Sequence, residues 1–373
     1  MTFIFLFSLT FCLFEYYLLT YSFNSVVIGQ NKNLILVFLF FLYLFVVFLI
    51  LYINLYPLKK IETNTKMLLI DKKINKTIYG SKEFDAIEEN LSNIEKQNLS
   101  NEEYKLRVKK EYYKFVPREF YDYLGKNEVF EMTLGENVQK DATILFIDIR
   151  HSYKTSESLT LEENFKFINN YLSIVGECVR ENKGFIDKFL GDGVMAVFLS
   201  EKDALKCSSE IANKFENINL VSIGMDKIKF GIGIHSGKVV IGIVGEKERL
   251  TPTIISDSVN LAYKIESLNK IFQSKILFTK EVLNNLPSDY EINFRYVGLI
   301  SIDNVGISLF ENLDGYTGSN KTAYIKSKNI FETAVRNYEE KNYKKAREFF
   351  IKTLEQNEDD NLAKYYLKRC KIL

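Results

Sequence analysis

The sequence predicts an α+β fold behind an apolar N-terminus, and three observations carry that expectation. Between 141 and 312, apolar runs of strand length alternate with stretches of helical periodicity. Paired runs flank Gly- and Asp-Gly-bearing turns, as antiparallel hairpins do. The first 56 residues are greasy and the rest polar, although the mean hydropathy of the whole is −0.08. A length of 373 residues suggests two to three modules. Lys plus Arg is 49 and Asp plus Glu 48, so the net charge of +1 excludes a protein whose main task is gripping nucleic acid by its phosphates. Cys12, Cys178, Cys207 and Cys370 are scattered and only two His occur. Neither a disulfide framework nor a structural zinc site is expected.

Residues 1–56 are expected to form two transmembrane helices. Leu34–Leu55 runs 22 residues without a charge, enough at about 1.5 Å per residue to cross a roughly 30 Å core. Phe3–Phe23 is the second candidate, with one charge at Glu15. It lacks the basic start and small-residue cleavage site of a signal peptide. Pro57-Leu58 is expected to end the membrane helix. Lys59, Lys60, Lys66, Lys72, Lys73 and Lys76 follow it. The positive-inside rule then makes this a multi-pass inner or plasma membrane protein with its C-terminal bulk cytoplasmic.

Residues 57–114 read as a helical linker. Phe84, Ile87, Leu91 and Ile94 form a heptad-like seam after a break near Gly80. With the phrase Glu83-Phe84-Asp85-Ala86-Ile87-Glu88, this resembles a HAMP signalling relay; an ordinary dimerising stalk would use the same seam.

The core begins with a strand from Asp141 through Asp148. Thr160-Leu-Glu-Glu163 is a capping box opening a helix with Phe165, Ile168, Leu172, Val175 and Val179 inward. Gly184–Leu190 and Val194–Phe198 form a hairpin around Gly191-Asp192-Gly193. Ala204–Phe215 is a helix. Ile228–Ile234 and Val239–Val244 are expected as a second hairpin, turning at His235-Ser236-Gly237. Val259–Leu268 is a third helix, with Asp257 as its cap, and Phe294–Phe310 supplies the last strands. This order favours an antiparallel-rich sandwich related to the ferredoxin-like layout. Gly231-Ile-Gly233 lies inside a strand pattern and is not a dinucleotide loop, and no phosphate-loop NTPase motif occurs. Asp192-Gly193 by itself is an ordinary tight turn.

Four phrases occur together: Leu145-Phe-Ile-Asp148-Ile149-Arg150, Asp187-Lys188-Phe-Leu-Gly-Asp192, Gly231-Ile-Gly-Ile-His-Ser-Gly237 and Thr253-Ile-Ile-Ser-Asp-Ser-Val-Asn260. In order and spacing they resemble the class III adenylate/guanylate cyclase domain. The lead-in Phe115-Val-Pro-Arg-Glu-Phe120 also resembles bacterial membrane cyclases, so the domain is placed at 115–318. The resemblance implies a head-to-tail homodimer that binds ATP between subunits. It implies Asp148, Asp192 and the Ile149 carbonyl as ligands of two Mg2+ or Mn2+ ions. Paired carboxylates suit such hard cations, and two ions would assist in-line attack on a phosphorus. Lys188 matches the base-selecting position and Thr253 the position that reads the adenine 6-amino group, which favours adenylate over guanylate cyclase. Asn260 matches the transition-state Asn.

Lys264 stands where the family has Arg; it keeps the charge and loses the bidentate fork, at a cost of roughly 1–3 kcal/mol in the barrier. His151-Ser152-Tyr153 replaces a Gly-Phe-Thr phosphate loop, and Ile302-Asp303-Asn304 replaces a Lys-bearing phrase. Arg249 either compensates for that Lys or is a surface charge. His151 reads as a loop residue and His235 as a turn residue. These departures leave a rival reading, a cyclase-like regulatory module of little turnover. Finally, 325–373 resembles one tetratricopeptide repeat plus a helix, carried by Tyr338-Glu-Glu-Lys-Asn-Tyr343-Lys-Lys-Ala346. Such a unit packs on a neighbour or engages a protein partner.

Overall fold

The computed structural model describes residues 16, 32–68, 82–126, 131–150, 159–217 and 228–371. The chain divides into two compact units, Met1–Lys110 and Glu111–Leu373.

In the first unit, α1 spans Lys32–Leu68 and α2 Lys82–Tyr112. The helix does not stop at Pro57. Proline's fixed φ is helical, so the chain continues there and forfeits one backbone hydrogen bond. Among the described residues no helix is long and apolar enough to cross a membrane. Apart from Tyr16, the first expected span lies outside the described residues, as does the break near Gly80. Of the α2 seam, Leu91 is half-buried and Ile94 exposed.

The second unit is built on an eight-stranded sheet. After α3 (Arg118–Leu124) come β1 (Asn137–Ile149), α4 (Leu161–Glu181), β2 (Phe185–Leu190), β3 (Gly193–Phe198), α5 (Glu201–Asn217) and β4 (Phe230–Glu246). These strands lie in the order β2-β3-β1-β4, all neighbours antiparallel, which is the ferredoxin-like arrangement expected. Then follow β5 (Arg249–Ile255), α6 (Asp257–Phe272), β6 (Ile276–Thr279), α7 (Lys280–Asn284), β7 (Phe294–Ile302) and β8 (Val305–Asn312). The β6-β8-β7 segment extends the sheet beyond β4, with β6 parallel to β4, while β5 pairs with β4.

The alternation of β1 decides its two faces. Leu145, Ile147 and Ile149 pack with α4 and α5. Ala142, Ile144 and Phe146 pack on the other side, with Phe120 of α3 and Ala262 of α6. The capping box at Thr160 forms, with Thr160 Oγ1 accepting from the Glu163 amide. The inward face of α4 is Phe167, Tyr171, Val175, Cys178 and Val179; Phe165, expected inside, is 74% exposed. Val175 and Val179 fit either stripe, and the aromatic choice between Phe165 and Phe167 is settled by the sheet beneath.

The expected hairpin at His235-Ser236-Gly237 does not exist. β4 runs unbroken for 17 residues and pairs with β1 from Asn137↔Gly242 to Ile149↔Phe230. The polar residues that read as a turn are satisfied inside the sheet. His235 Nδ1 and Thr279 Oγ1 are 2.8 Å apart, and Ser236 Oγ and Thr143 Oγ1 also 2.8 Å. The chain reverses later, between Glu246 and Arg249. Gly231 and Gly233 belong to this strand because α6 crosses it closely. A Cβ on Gly233 would lie 2.2 Å from the Glu266 amide nitrogen, and one on Gly231 would meet the Arg150 guanidinium. Ser256, not Asp257, caps α6, its Oγ accepting from the Val259 amide.

The C-terminal helices α8 (Gly318–Glu339), α9 (Tyr343–Gln356) and α10 (Asn361–Arg369) pack on the same sheet. Phe331, Ala334, Phe350, Leu362 and Tyr366 share a core with Ile265, Leu277, Val297 and Leu309. The tail's apolar face is thereby buried against its own chain.

Candidate active site

Asp148 lies near the end of β1, one residue past the Ile147↔Val194 pair. The β2–β3 turn, with Gly191 at φ 71°, presents Asp192 beside it. Gly193 lies next to the pair, its Cβ position 3.7 Å from Asp148 Oδ1. Asp148 is close enough to Asp192 to feel its charge. Burial first, and then the like charge of Asp192, push the Asp148 carboxyl up to about 6. Asp192 Oδ2 is buried without a hydrogen-bond partner. Two crowded carboxylates, one with an orphaned oxygen, are the donor chemistry a hard divalent cation takes. Among the described residues no group of three His, Cys, Asp or Glu surrounds them.

Behind this pair sits an ion pair that sequence reading missed. Arg150 Nη2 lies 2.7 Å from Glu266 Oε1 and donates to the Glu266 carbonyl at 3.1 Å. It reaches α6 across Gly231, whose missing side chain was the only sequence signal. The contact ties the chain just after Asp148 to α6.

The second group joins β2 to β5. Lys188 Nζ donates to Thr253 Oγ1 at 2.6 Å and lies 3.0 Å from Asp187 Oδ2. Thr253 is 7% exposed and held opposite Gly242. The structure therefore brings together Lys188 and Thr253, two residues 65 positions apart that the sequence paired.

A third group lies on α6. Asn260 is exposed, and Lys264 sits one turn further along. Lys264 Nζ is bound to Asp303 Oδ2. Asp303 owes its position to a two-residue turn: Asp303 and Asn304, at φ 49° and 64°, connect the Ile302↔Val305 pair. Two departures noted separately in the sequence thus meet as one ion pair. Arg249 is not brought to the site. It pairs with Glu246 at the far end of the β4–β5 hairpin, four residues along the strand from Thr253. His151-Ser152-Tyr153 lies outside the described residues.

Residues 135–317 match the family described as the adenylate and guanylate cyclase catalytic domain. These residues form a class III adenylate/guanylate cyclase catalytic domain. Domains of this class bind a nucleotide, are typically dimeric and generally use divalent metal ions. Among curated relatives, the terminal-differentiation-specific adenylate cyclase of Dictyostelium discoideum is 29% identical over 246 residues, covering 64% of this chain and 12% of that protein. The adenylate cyclase of Anabaena cylindrica is 37% identical over 163 residues, covering 42% of this chain and 32% of that one. The chain thus spans an eighth to a third of these relatives. A bacterial light-regulated adenylyl cyclase of known structure shares the fold, with TM-score 0.50 and 23% identity over 62% of this chain and 67% of that one.

Proposed function

We propose that this chain is an adenylate cyclase that converts ATP to 3′,5′-cyclic AMP and pyrophosphate as a head-to-tail homodimer. The observation that carries the choice of base is the Lys188–Thr253 contact. Adenine offers an acceptor at N1 and a donor at its 6-amino group. Lys188 can only donate, and the Thr253 oxygen can accept. Guanine carries N1–H and O6 there, so Lys188 would face a second donor. In the reaction the ribose 3′-oxygen attacks the α-phosphorus, loses its proton, and the pyrophosphate oxygen leaves. Held by Asp148, Asp192 and the Ile149 carbonyl, Mg2+ or Mn2+ would acidify the attacking hydroxyl and neutralise phosphate charge. Asn260 and Lys264, presented by α6, would steady the ribose and phosphates of a nucleotide whose metal-binding carboxylates come from the other copy. Exposed Val240, Val244, Leu250, Ile255 and Tyr263 along β4, β5 and α6 support a face for that copy.

Anchoring in the membrane by the N-terminal apolar segments, with the cyclase domain cytoplasmic, rests on the charge-free run 34–55 and the lysines after it. Residues 57–114 would relay a signal as a HAMP-like linker or simply align two chains. The tail acts as a cap on its own domain, since its apolar face is already covered; a tetratricopeptide-type partner would need a different face.

The test supplies the full-length protein with ATP or GTP and Mn2+ or Mg2+ and quantifies cyclic nucleotides by mass spectrometry. Cyclic AMP should exceed cyclic GMP at least tenfold. Neither product from a folded, nucleotide-binding dimer would overturn the enzymatic reading in favour of the regulatory module.

That second reading draws on the Lys264–Asp303 pair, which competes with phosphate for the ammonium. The pair is exposed and worth about 1 kcal/mol or less. Asp303→Ala should therefore raise kcat about 2- to 5-fold, read in the same assay. A fall in kcat would mean that Asp303 positions Lys264 instead of detaining it.

A further inference from the structure

Asp187 is an anomaly that the proposed reaction does not use. The β2–β3 ladder passes from Ile186↔Ala196 to Lys188↔Met195, so Asp187 is the extra residue of a β-bulge. Its side chain is 0% exposed. Neither carboxylate oxygen accepts a hydrogen bond, and its one ionic contact among the described residues is Lys188 Nζ at 3.0 Å. Burying a carboxylate without hydrogen bonds is unfavourable, and an apolar side chain would serve the fold better. Burial pushes this carboxyl up to about 6 against the opposing pull of Lys188, so it is ionised at neutral pH.

The Asp187 charge acts on the Lys188 ammonium. An ammonium has three N–H groups on a flexible four-carbon stem. Asp187 and Thr253 engage Lys188 Nζ from within the chain, at 3.0 and 2.6 Å. Thr253 takes one N–H, the Asp187 carboxylate holds the ammonium by charge, and the side chain stays 39% exposed.

We propose that Asp187 is a positioning residue for base recognition: Thr253 takes one Lys188 donor and the Asp187 charge restrains the ammonium, so that a remaining donor is aimed at an acceptor on the base edge of a purine nucleotide. Asp187 touches no nucleotide and acts through Lys188. The inference rests on the nucleotide reading of this site and adds the part that makes the lysine selective. Without Asp187 the ammonium swivels and donates to the O6 of guanine as readily as to the N1 of adenine.

The experiment measures kcat and KM for ATP and GTP with the full-length protein and Asp187→Asn. KM for ATP should rise about tenfold and kcat stay within about threefold. The ATP-over-GTP ratio of kcat/KM should fall about tenfold. In a Lys188→Ala background the same substitution should change nothing further, because its effect passes through that lysine. Asp187→Ala is the second variant and should repeat the pattern, and neither should lower the melting temperature. The proposal is overturned if KM and selectivity stay at wild-type values, if the loss persists in the Lys188→Ala background, or if both variants unfold. A wild-type protein that neither binds nor converts ATP or GTP overturns the nucleotide reading first, and this inference with it.

Discussion

Replacing Arg295 with leucine should loosen the C-terminal helices and lower the melting temperature by about 10 °C. Arg295, on β7, is 1% exposed and serves two acids at once. Its Nε donates to Glu311 Oε2 at 2.7 Å, and its Nη2 to Asp360 Oδ1 at 3.0 Å. The guanidinium also lies 3.9 Å from the centre of the Phe331 ring. Glu311 belongs to β8, Asp360 caps α10 through the Ala363 amide, and Phe331 comes from α8. One cation therefore fastens the tail to the sheet. Leucine would fill much of the space and strand two buried carboxylates. Removing one member of such a cluster costs about 3–5 kcal/mol. In a unit of this size each kcal/mol shifts the melting temperature by about 2–4 °C. Arg295→Lys should fall between, since it keeps the charge and loses the fork. Adding Asp360→Asn to Arg295→Leu should recover part of the loss. A shift below about 2 °C in a thermal melt of Arg295→Leu would mean that apolar packing alone holds the tail.

None of that network was legible in the sequence, and the reason is physical. Arg295, Glu311 and Asp360 look like solvated charges, because nothing in their local pattern says that three elements converge there. Periodicity reports which face of an element is apolar, but not which elements meet. The tail's amphipathic helices were therefore readable, and what they pack on was not. The same limit explains the phantom hairpin. His235, Ser236 and Gly237 have turn composition, yet partners on β1 and β6 satisfy them within a continuous strand. Their polarity serves the interior of the sheet. Where four phrases in order matched a known domain, reading was more successful. Asp148 with Asp192, and Lys188 with Thr253, are brought together as the resemblance to the cyclase domain implied. Arg249 shows the converse: closeness in sequence to Thr253 places it at the opposite end of a strand. Asp187 was passed over because it stood beside a more conspicuous lysine, and only its burial in a bulge marks it as unusual.

Asp148→Asn should abolish product formation and at the same time make the metal-free protein more stable. The two effects have one origin. Asp148 and Asp192 crowd two carboxylates into a half-buried place, and the Asp148 carboxyl is pushed up to about 6, above the usual carboxylate range. The folded protein binds that proton more tightly than the unfolded chain does. Its contribution to stability is therefore complete below about pH 4 and lost as pH rises through about 6. At pH 7.5 the metal-free fold carries the whole penalty, about 1 kcal/mol once partial solvent access is allowed for. Asparagine keeps the shape and removes the repulsion, so the variant should melt a few degrees higher than the metal-free wild type at pH 7.5 and no higher at pH 4. Added Mn2+ should raise the melting temperature of the wild type and leave the variant's unchanged, because the favourable charge for a hard cation is gone. Cyclic nucleotide formation should drop at least about 1,000-fold, roughly 4 kcal/mol in the barrier. Equal responses of both proteins to Mn2+ would show that the cation binds elsewhere. A variant that is inactive and also less stable without metal would make Asp148 a structural residue and remove the ground for placing metal there. The opposing signs separate a ligand from a brace: a brace loses stability when cut, whereas a ligand held ready for an ion gains it.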